Sequence, residues 1–230
     1  MQTQGSAAAN QAAANQPAAP AARAGLVVRD LALERGGHWL FAAVGFAVAP
    51  GTGLVLRGAN GSGKTSLLRI LAGLTASDTG EVAWNGATWR TGSAVQRINS
   101  LYVGHANALK DELTAAENLA EALAFDGLSI SAEAQYRALE NVGLLSRRNV
   151  PARRLSQGQK RRIGLARLSL SNKPLWLLDE PTNALDSEGV TIFSRLVRDH
   201  LAGGGIACIA THMRLDIAAT LAEFNLDVAA

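Results

Sequence analysis

The chain has 230 residues, which suffice for one large core or for one core with a smaller lobe. Its 22 basic and 19 acidic residues leave a net charge of +3, a mild excess that does not require nucleic acid as a partner. No apolar run approaches the roughly 18 to 20 residues needed to cross a bilayer, so we expect any membrane role to be exercised through a partner. The single cysteine, Cys208, lies in an apolar run and is expected to be a buried, reduced thiol, which excludes disulfides and cysteine metal sites.

The first 24 residues differ in composition from the rest of the chain. They are mostly Ala, Gln, Asn and Pro, and Arg23 is the only charged side chain among them. They lack the basic start and the continuous apolar core of a signal peptide. We therefore predict a disordered Ala-rich tail at 1–24, followed by one domain at 25–230.

The first elements of that domain are predicted to be strands. Apolar residues alternate along 26–33, and 40–48 is an apolar run; a Gly-Gly turn separates the two, a pattern that predicts an antiparallel pair. An apolar strand at 54–56 precedes a glycine-rich loop and a helical run. Another short strand at 81–84 ends in Asn-Gly, a hairpin signal, and residues 100–103 form the next strand candidate.

The periodicity then becomes helical. Residues 113–150 place their apolar side chains at helical spacing, which predicts an inserted helical subdomain at about 106–165 that carries a partner surface. Helices and buried strands alternate after it, and we predict a short helix at 216–221 and an extended segment at 224–228. The alternation implies a mostly parallel sheet with ligands at the carboxyl ends of its strands.

The loop that follows the strand at 54–56 has the G-x-x-x-x-G-K-[ST] form of a P-loop. Its glycines allow turns that a Cβ would block, so that successive N–H groups form an anion nest at the helix start. Lys64 is expected to reach the β- and γ-phosphates, and the Thr65 hydroxyl to ligate Mg²⁺. The alternative is an ordinary glycine-rich turn before a helix. The predicted nucleotide-binding residues are Gly58, Ala59, Asn60, Gly61, Ser62, Gly63, Lys64, Thr65 and Ser66.

Two acidic residues end the apolar strand at 175–178. Asp179 is expected to hold Mg²⁺ with Thr65, and Glu180 to act as the general base that polarises the water attacking the γ-phosphate. The alternative is a pair of acids before a helix start, where the helix dipole favours them. With the P-loop, the pair predicts ATP and Mg²⁺ as cofactors.

Residues 155–159 read Leu-Ser-Gln-Gly-Gln, which resembles the L-S-G-G-Q signature of ATP-binding cassette (ABC) ATPases. The resemblance covers essentially residues 26–215. A capping box from Ser156 to Gln159 would explain the helix start without the family, but it does not explain Gly158 in the first turn. Glycine there costs about 1 kcal/mol against alanine, and it suits a helix N-terminus that approaches a phosphate closely. The resemblance implies that the signature faces nucleotide held by a second subunit; its residues are Leu155, Ser156, Gln157, Gly158 and Gln159.

This resemblance implies an α/β fold, a P-loop NTPase ABC-type nucleotide-binding domain with an antiparallel β subdomain and an inserted α-helical subdomain. One P-loop and one signature imply a homodimer on ATP, or pairing with a second cassette protein. His212 matches the switch histidine that contacts the γ-phosphate as a catalytic residue. Asp186 matches the D-loop aspartate at the subunit seam, and an N-cap role is compatible with it. His105 replaces the usual Mg²⁺-ligating glutamine, so we expect it to couple the site to the helical lobe.

The family also has an aromatic side chain that stacks on adenine. Arg35, His38 and Trp39 are alternatives for that position. His38 and His200 have no motif around them and are otherwise expected at the surface.

A narrower resemblance, to the ATPase subunits of bacterial cytochrome c maturation systems, rests on Gly104-His105, on residues 165–168 and 175–181, and on the short segment after His212. It implies an ATPase that drives haem export or release of a haem-loaded chaperone, with integral membrane subunits as partners and no nucleic acid. It further implies a peripheral place on the cytoplasmic face of the inner membrane. No haem site is readable. The alternatives are an ABC ATPase for another solute, or a soluble one acting on ribosome or DNA.

Overall fold

The computed structural model describes residues 25–105 and 108–229. The predicted tail at 1–24 lies outside these residues, as do residues 106 and 107 of the predicted helical subdomain. In chain order the strands and helices are β1 (Leu26–Arg35), β2 (His38–Val48), β3 (Gly53–Arg57), α1 (Lys64–Leu71), β4 (Thr79–Trp84), β5 (Ala87–Trp89), α2 (Ala94–Asn99), β6 (Ser100–Val103), α3 (Ala115–Phe125), α4 (Ala132–Asn141), α5 (Gln157–Leu170), β7 (Leu175–Asp179), α6 (Ser187–Ala202), β8 (Ile206–Ala210) and β9 (Leu221–Asn225). Short 3₁₀ turns cover Leu145–Arg147, Ala152–Arg154 and Leu226–Ala229.

The strands form two sheets. An antiparallel sheet has the order β2-β1-β4-β5, and its hairpins turn at the predicted Gly-Gly and Asn-Gly positions. A second sheet has the order β6-β7-β8-β3-β9, and every pair in it is parallel. The carboxyl ends of β3, β6, β7 and β8 therefore lie along the same edge, where the sequence predicts the ligand.

The parallel sheet separates two apolar clusters. Strand side chains point alternately to opposite faces, and β7 shows the consequence. Leu175 and Leu177 pack with α1 and the antiparallel sheet, whereas Trp176 and Leu178 pack with the helices on the other side. Both β7 and β8 are buried at every position, which explains why they are continuous apolar runs rather than alternating ones.

Helices α3 and α4 lie in the stretch predicted to be helical, and both pack against α5. Helix α3 begins at a capping box formed by Thr114 and Glu117. No helix in the described parts of the chain is long and apolar enough to cross a membrane.

The carboxyl-terminal segment differs from the prediction. The expected helix at 216–221 is wrong, because this stretch is a loop that leads into β9. Strand β9 pairs in parallel with β3, and Phe224 packs on Phe46 with ring centroids 5.2 Å apart. The extended segment expected at 224–228 is confirmed only in part, because β9 ends at Asn225 and a 3₁₀ turn follows at Leu226–Ala229.

His200 is a second correction, because it is partly buried rather than an exposed surface residue. Its ring stacks on Trp176, with centroids 3.8 Å apart and planes at 7°, and its Nε2 lies 3.1 Å from the carbonyl oxygen of Ile206. Burial lowers the pKa of this imidazole.

Helix α2, which Ser93 caps, was not predicted from the sequence.

Cys208 is fully buried in β8, as predicted, and burial raises the pKa of its thiol to about 12. Because the thiolate is the nucleophile that attacks disulfide reagents, the folded chain should not react with dithiobis(nitrobenzoate) at about pH 8. After unfolding in guanidinium, absorbance should report one thiol per chain. Rapid reaction in native buffer would contradict the burial of this side chain.

Candidate functional site

A cavity of about 490 Å³ lies at the carboxyl ends of the parallel strands. It brings together residues that are far apart in the sequence: part of the P-loop, the acidic pair, and the two predicted histidines. The lining residues are Leu40, Asn60, Gly61, Gly63, Lys64, Thr65, Ser66, His105, Asp179, Glu180, Asn183, His212 and Met213. None of the three alternatives for adenine stacking is among them, so that assignment stays a prediction.

The P-loop has the backbone that its glycines predict. Gly58, Gly61 and Gly63 all have positive φ, at 143°, 89° and 97°, a region that L side chains rarely adopt. Helix α1 then begins at Lys64, so its free N–H groups point into the loop. The Ser62 hydroxyl is buried, without a hydrogen-bond partner in the described chain. Positive-φ glycines, a helix N-terminus and an unpaired hydroxyl are features that suit the binding of a phosphate.

Lys64 is 8% exposed, and its Nζ donates to two carbonyls of its own loop, those of Gly58 at 2.7 Å and Ala59 at 2.8 Å. Ala59 is held from the other side as well, because its N–H donates to the Asp227 carboxylate at 2.9 and 3.0 Å. One peptide of the P-loop is therefore fixed by a cation and by an anion.

The two predicted metal ligands lie in contact. The Thr65 hydroxyl donates to the Asp179 carboxylate, with distances of 3.1 Å to Oδ1 and 2.9 Å to Oδ2. Asp179 is 2% exposed at the end of β7, and Thr65 is in the first turn of α1. Hydroxyl and carboxylate oxygens are the donors that Mg²⁺ prefers. The residues present therefore fit a magnesium ion that also takes oxygen ligands from phosphates.

Glu180 and His212 form the second half of the site. The His212 Nε2 lies 3.4 Å from Glu180 Oε1, and the Glu180 side chain is 14% exposed against 51% for His212. Glu180 has a φ of 47°, the left-handed region that a non-glycine residue rarely occupies. Arg57, at the end of β3, donates to the carbonyls of Thr211 and Met213, which flank the histidine. The histidine loop is thus anchored to the strand that carries the P-loop.

The signature does not line this cavity. Its helix α5 begins with the predicted capping box, in which Ser156 and Gln159 bond each other's backbone N–H groups. Ser156 and Gln157 are exposed. Gly158 has a reason within the chain as well, because a Cβ there would lie 2.8 Å from the carbonyl oxygen of Ala184. An exposed helix N-terminus leaves the signature accessible to a second molecule.

Asp186 caps helix α6, as one of its two predicted roles requires. Its carboxylate accepts from the Gly189 N–H at 3.0 Å and from Arg162 Nη2 at 2.7 and 2.9 Å. The Gly189 amide, followed by the Arg162 guanidinium, holds the pKa of this carboxyl below its ordinary value. Arg162 in turn binds Glu188 and the carbonyl of Val142.

Two residues of this region had no signal in the sequence analysis. Asp227 anchors the P-loop across 168 positions of sequence, and only the fold brings the two together. Arg161, on α5 just after the signature, is 4% exposed and donates to backbone carbonyls at the ends of both β6 and β7. The sequence does not distinguish Arg161 from the adjacent Arg162, so it does not show which of the two arginines makes these contacts.

Comparison with known proteins gives the class and then the closer relatives. Residues 41–183 match the model of the ABC transporter family. The chain is 44% identical over 190 residues to the cytochrome c biogenesis ATP-binding export protein CcmA of Nitrosomonas europaea, covering 83% of this chain and 89% of that protein. It is 46% identical over 194 residues to the protein of that name in Rhodopseudomonas palustris, covering 83% and 93%.

Among solved structures, an ABC transporter ATP-binding protein of Pyrococcus furiosus superposes with a TM-score of 0.76 and 23% identity, covering 89% of this chain and 98% of that one. This likeness supports the fold. The chain therefore belongs to the ABC transporter family of ATP-binding proteins and, within it, to the family of the CcmA proteins. The predicted fold class and the prediction of an ATP-binding ATPase are confirmed, and membership implies membrane subunits as partners.

We expect the Asp227 contact to shape the P-loop for nucleotide. Asp227→Ala removes the acceptor of the Ala59 N–H, and ATP affinity measured by calorimetry should weaken by about threefold to tenfold. Asp227→Asn is the matched control, because its amide oxygen still accepts that bond while the charge is gone. Its affinity should equal or exceed that of the unaltered chain. Equal affinities in all three proteins would contradict an anchoring role.

Proposed function

We propose that this chain is the ATP-hydrolysing subunit of a membrane ABC complex for cytochrome c maturation, in which ATP-driven closure of two copies powers haem export or release of a haem-loaded chaperone. One observation carries the ATPase part: a single cavity holds the P-loop lysine, the Thr65–Asp179 pair and Glu180. The names of the relatives, which are cytochrome c biogenesis export proteins, support the pathway.

Nucleotide binding begins with an exchange of hydrogen bonds at Lys64. Its ammonium leaves the carbonyls of Gly58 and Ala59 for the β- and γ-phosphates of ATP, which are stronger acceptors. The N–H groups of the loop and of the start of α1 bind the remaining phosphate oxygens. The hydrogen bond from the Ala59 N–H to Asp227 persists during this exchange, so the loop retains its shape when the Lys64 side chain moves.

Thr65 and Asp179 would hold Mg²⁺ with their oxygens in place of the hydrogen bond that joins them. When bound, the ion neutralises charge that develops on the transferring phosphoryl group. Burial keeps the Asp179 carboxylate at the end of β7, where its position is fixed by two neighbouring strands.

Hydrolysis itself requires a base and a contact to the γ-phosphate. Glu180 accepts a proton from the attacking water, whose oxygen forms a bond to the γ-phosphorus as the bond to the bridging oxygen breaks. His212, 3.4 Å from this carboxylate, orients it and donates to a γ-phosphate oxygen. ADP leaves with the bridging oxygen, and inorganic phosphate carries the oxygen of the water.

Two copies are proposed to close on two ATP molecules. The exposed N-terminus of α5 supports this, since its Ser156 and Gly158 lie outside the chain's own cavity. A γ-phosphate between one P-loop and the partner's signature adds affinity that ADP does not supply, so hydrolysis releases the dimer. Asp186 sits beside this seam and His105 couples the site to the helical lobe.

The membrane subunits are proposed to dock next to His105. A second cavity of about 370 Å³ lies there between the core and the helical lobe, with Tyr102, Leu109 and Ala122 in its wall. A segment of an integral subunit in this groove would contact both parts of the chain. The chain would then sit peripherally on the cytoplasmic face of the bacterial inner membrane.

The pathway is tested by capturing the chain from solubilised native membranes, identifying the copurifying proteins and reading haem absorbance on the same sample. We expect integral cytochrome c maturation subunits together with a haem-bearing chaperone. Recovery of an unrelated permease, of ribosomes or of DNA would discard the haem pathway and leave the ATPase chemistry standing.

The base is tested by Glu180→Gln, which keeps the shape of the side chain but cannot accept a proton. We expect ATP hydrolysis to fall by about 100-fold or more, while ATP binding persists and light scattering detects an ATP-dependent dimer. Glu133→Gln, an exposed acid on α4, is the control and should hydrolyse normally. Lys64→Ala should bind no ATP and form no dimer. Unchanged turnover in Glu180→Gln would refute the assignment of the base.

A further inference from the structure

Arg161 is a cation buried at the junction of three parts of the site. It lies in the second turn of α5, shortly after the signature, and only 4% of the residue is exposed. Buried charges are costly unless their donors are used, and this guanidinium uses them on backbone carbonyls. Its acceptors within residues 25–105 and 108–229 include the carbonyls of Pro181 at 3.1 Å from Nε, Gly104 at 3.0 Å and His105 at 3.4 Å from Nη1, and Asp179 at 3.0 Å and Glu180 from Nη2.

These acceptors belong to two separate loops. Gly104 and His105 follow β6, whereas residues 179–181 follow β7, and the two strands are neighbours in the parallel sheet. A planar guanidinium has donors on both of its edges and can bridge the two loops at once, which a lysine ammonium cannot. Burial lowers the pKa of Arg161, and the charges of Asp179 and Glu180 oppose that shift. The group remains a cation at neutral pH.

The loop that Arg161 holds contains the unusual backbone of the site. Glu180 has a φ of 47°, and such a conformation persists only where the surroundings support it. Arg161 binds the carbonyl of Glu180 and those of both neighbours, Asp179 and Pro181. By holding the backbone of residues 179–181, Arg161 therefore sets the direction in which the Glu180 side chain enters the cavity.

We propose that Arg161 is a positioning residue for Glu180, and that it joins the signature helix to both loops so that the three move as one unit. The proposal rests on the proposed role of Glu180 as the base. Helix α5 packs against α3 and α4 of the helical lobe, so Arg161 links a displacement of that lobe to the Glu180 backbone. Contact of the signature with nucleotide across the dimer seam would thus align the base in the same chain.

The test is Arg161→Lys in the full chain, with Mg-ATP turnover and ATP binding measured on the same preparation. Lysine keeps the positive charge but lacks the planar set of guanidinium donors that bridges the two loops. We therefore expect kcat to fall by about tenfold while the Kd for ATP changes by less than about twofold. Arg161→Met should lose more turnover, and Arg161→Lys carries the test if the methionine variant does not fold. A kcat for Arg161→Lys equal to that of the unaltered chain would overturn the proposal.

Lys173→Met is the matched control for lost stability. Lys173 is 7% exposed and its Nζ donates to the carbonyl of Arg97 at 2.8 Å, so it too is a buried cation on a backbone carbonyl, but outside both cavities. It should lower the thermal unfolding temperature and leave kcat unchanged. A comparable fall of kcat in this variant would mean that loss of stability alone explains the Arg161 result, and would overturn the proposal.

A double-mutant cycle separates this proposal from the proposed function. If Arg161 acts through Glu180, then Arg161→Lys should not reduce further the residual single-turnover rate of Glu180→Gln. Additive losses would show that Arg161 acts by another route and overturn the proposal, while Glu180 stays the base. Full turnover in Glu180→Gln alone would overturn the base assignment, and the proposal with it.

Discussion

The hydrogen bond between Thr65 and Asp179 joins two parts of the chain that are 114 positions apart. Strand β8 lies between β3, which leads to Thr65, and β7, which ends in Asp179. Because all three strands are parallel, their carboxyl ends share one edge, and the loops that leave them converge there. The proposed mechanism depends on this convergence, because it needs the P-loop to bind the phosphates and the acidic pair to supply the base.

Two buried cations stabilise the site by binding backbone carbonyls, and they differ in what they must do next. Lys64 binds its own loop, and in the proposed function it exchanges those acceptors for phosphates. Arg161 binds the loops after β6 and β7, which lie behind the carboxylate that we propose as the base, and has no such exchange to make. The lysine ammonium is a compact point charge on a flexible stem, whereas the guanidinium is a rigid fork. Lysine therefore suits a side chain that changes its hydrogen-bond acceptors, and arginine suits one that holds two loops in place.

The chemistry-bearing motifs were predictable because each is local. The P-loop glycines, the acidic pair after an apolar strand and the capping box at Ser156 all occupy short stretches whose residue types have a stated physical purpose. What the sequence could not give are contacts made by tertiary packing. Asp227 reaches the P-loop because β9 pairs with β3, and the prediction placed only the end of that strand in an extended segment. His200 is partly buried, and its ring stacks on Trp176, a contact between residues 24 positions apart.

The most direct measurement is a crystal structure of the full chain with Mg²⁺ and a non-hydrolysable ATP analogue. The account predicts that Lys64 Nζ moves from the Gly58 and Ala59 carbonyls to the phosphates, and that a metal ion replaces the hydrogen bond between Thr65 and Asp179. The Arg161 contacts to residues 179–181 should persist, and the signature of a second copy should face the γ-phosphate. Nucleotide bound elsewhere, with the Thr65–Asp179 bond and the lysine contacts intact, would contradict it.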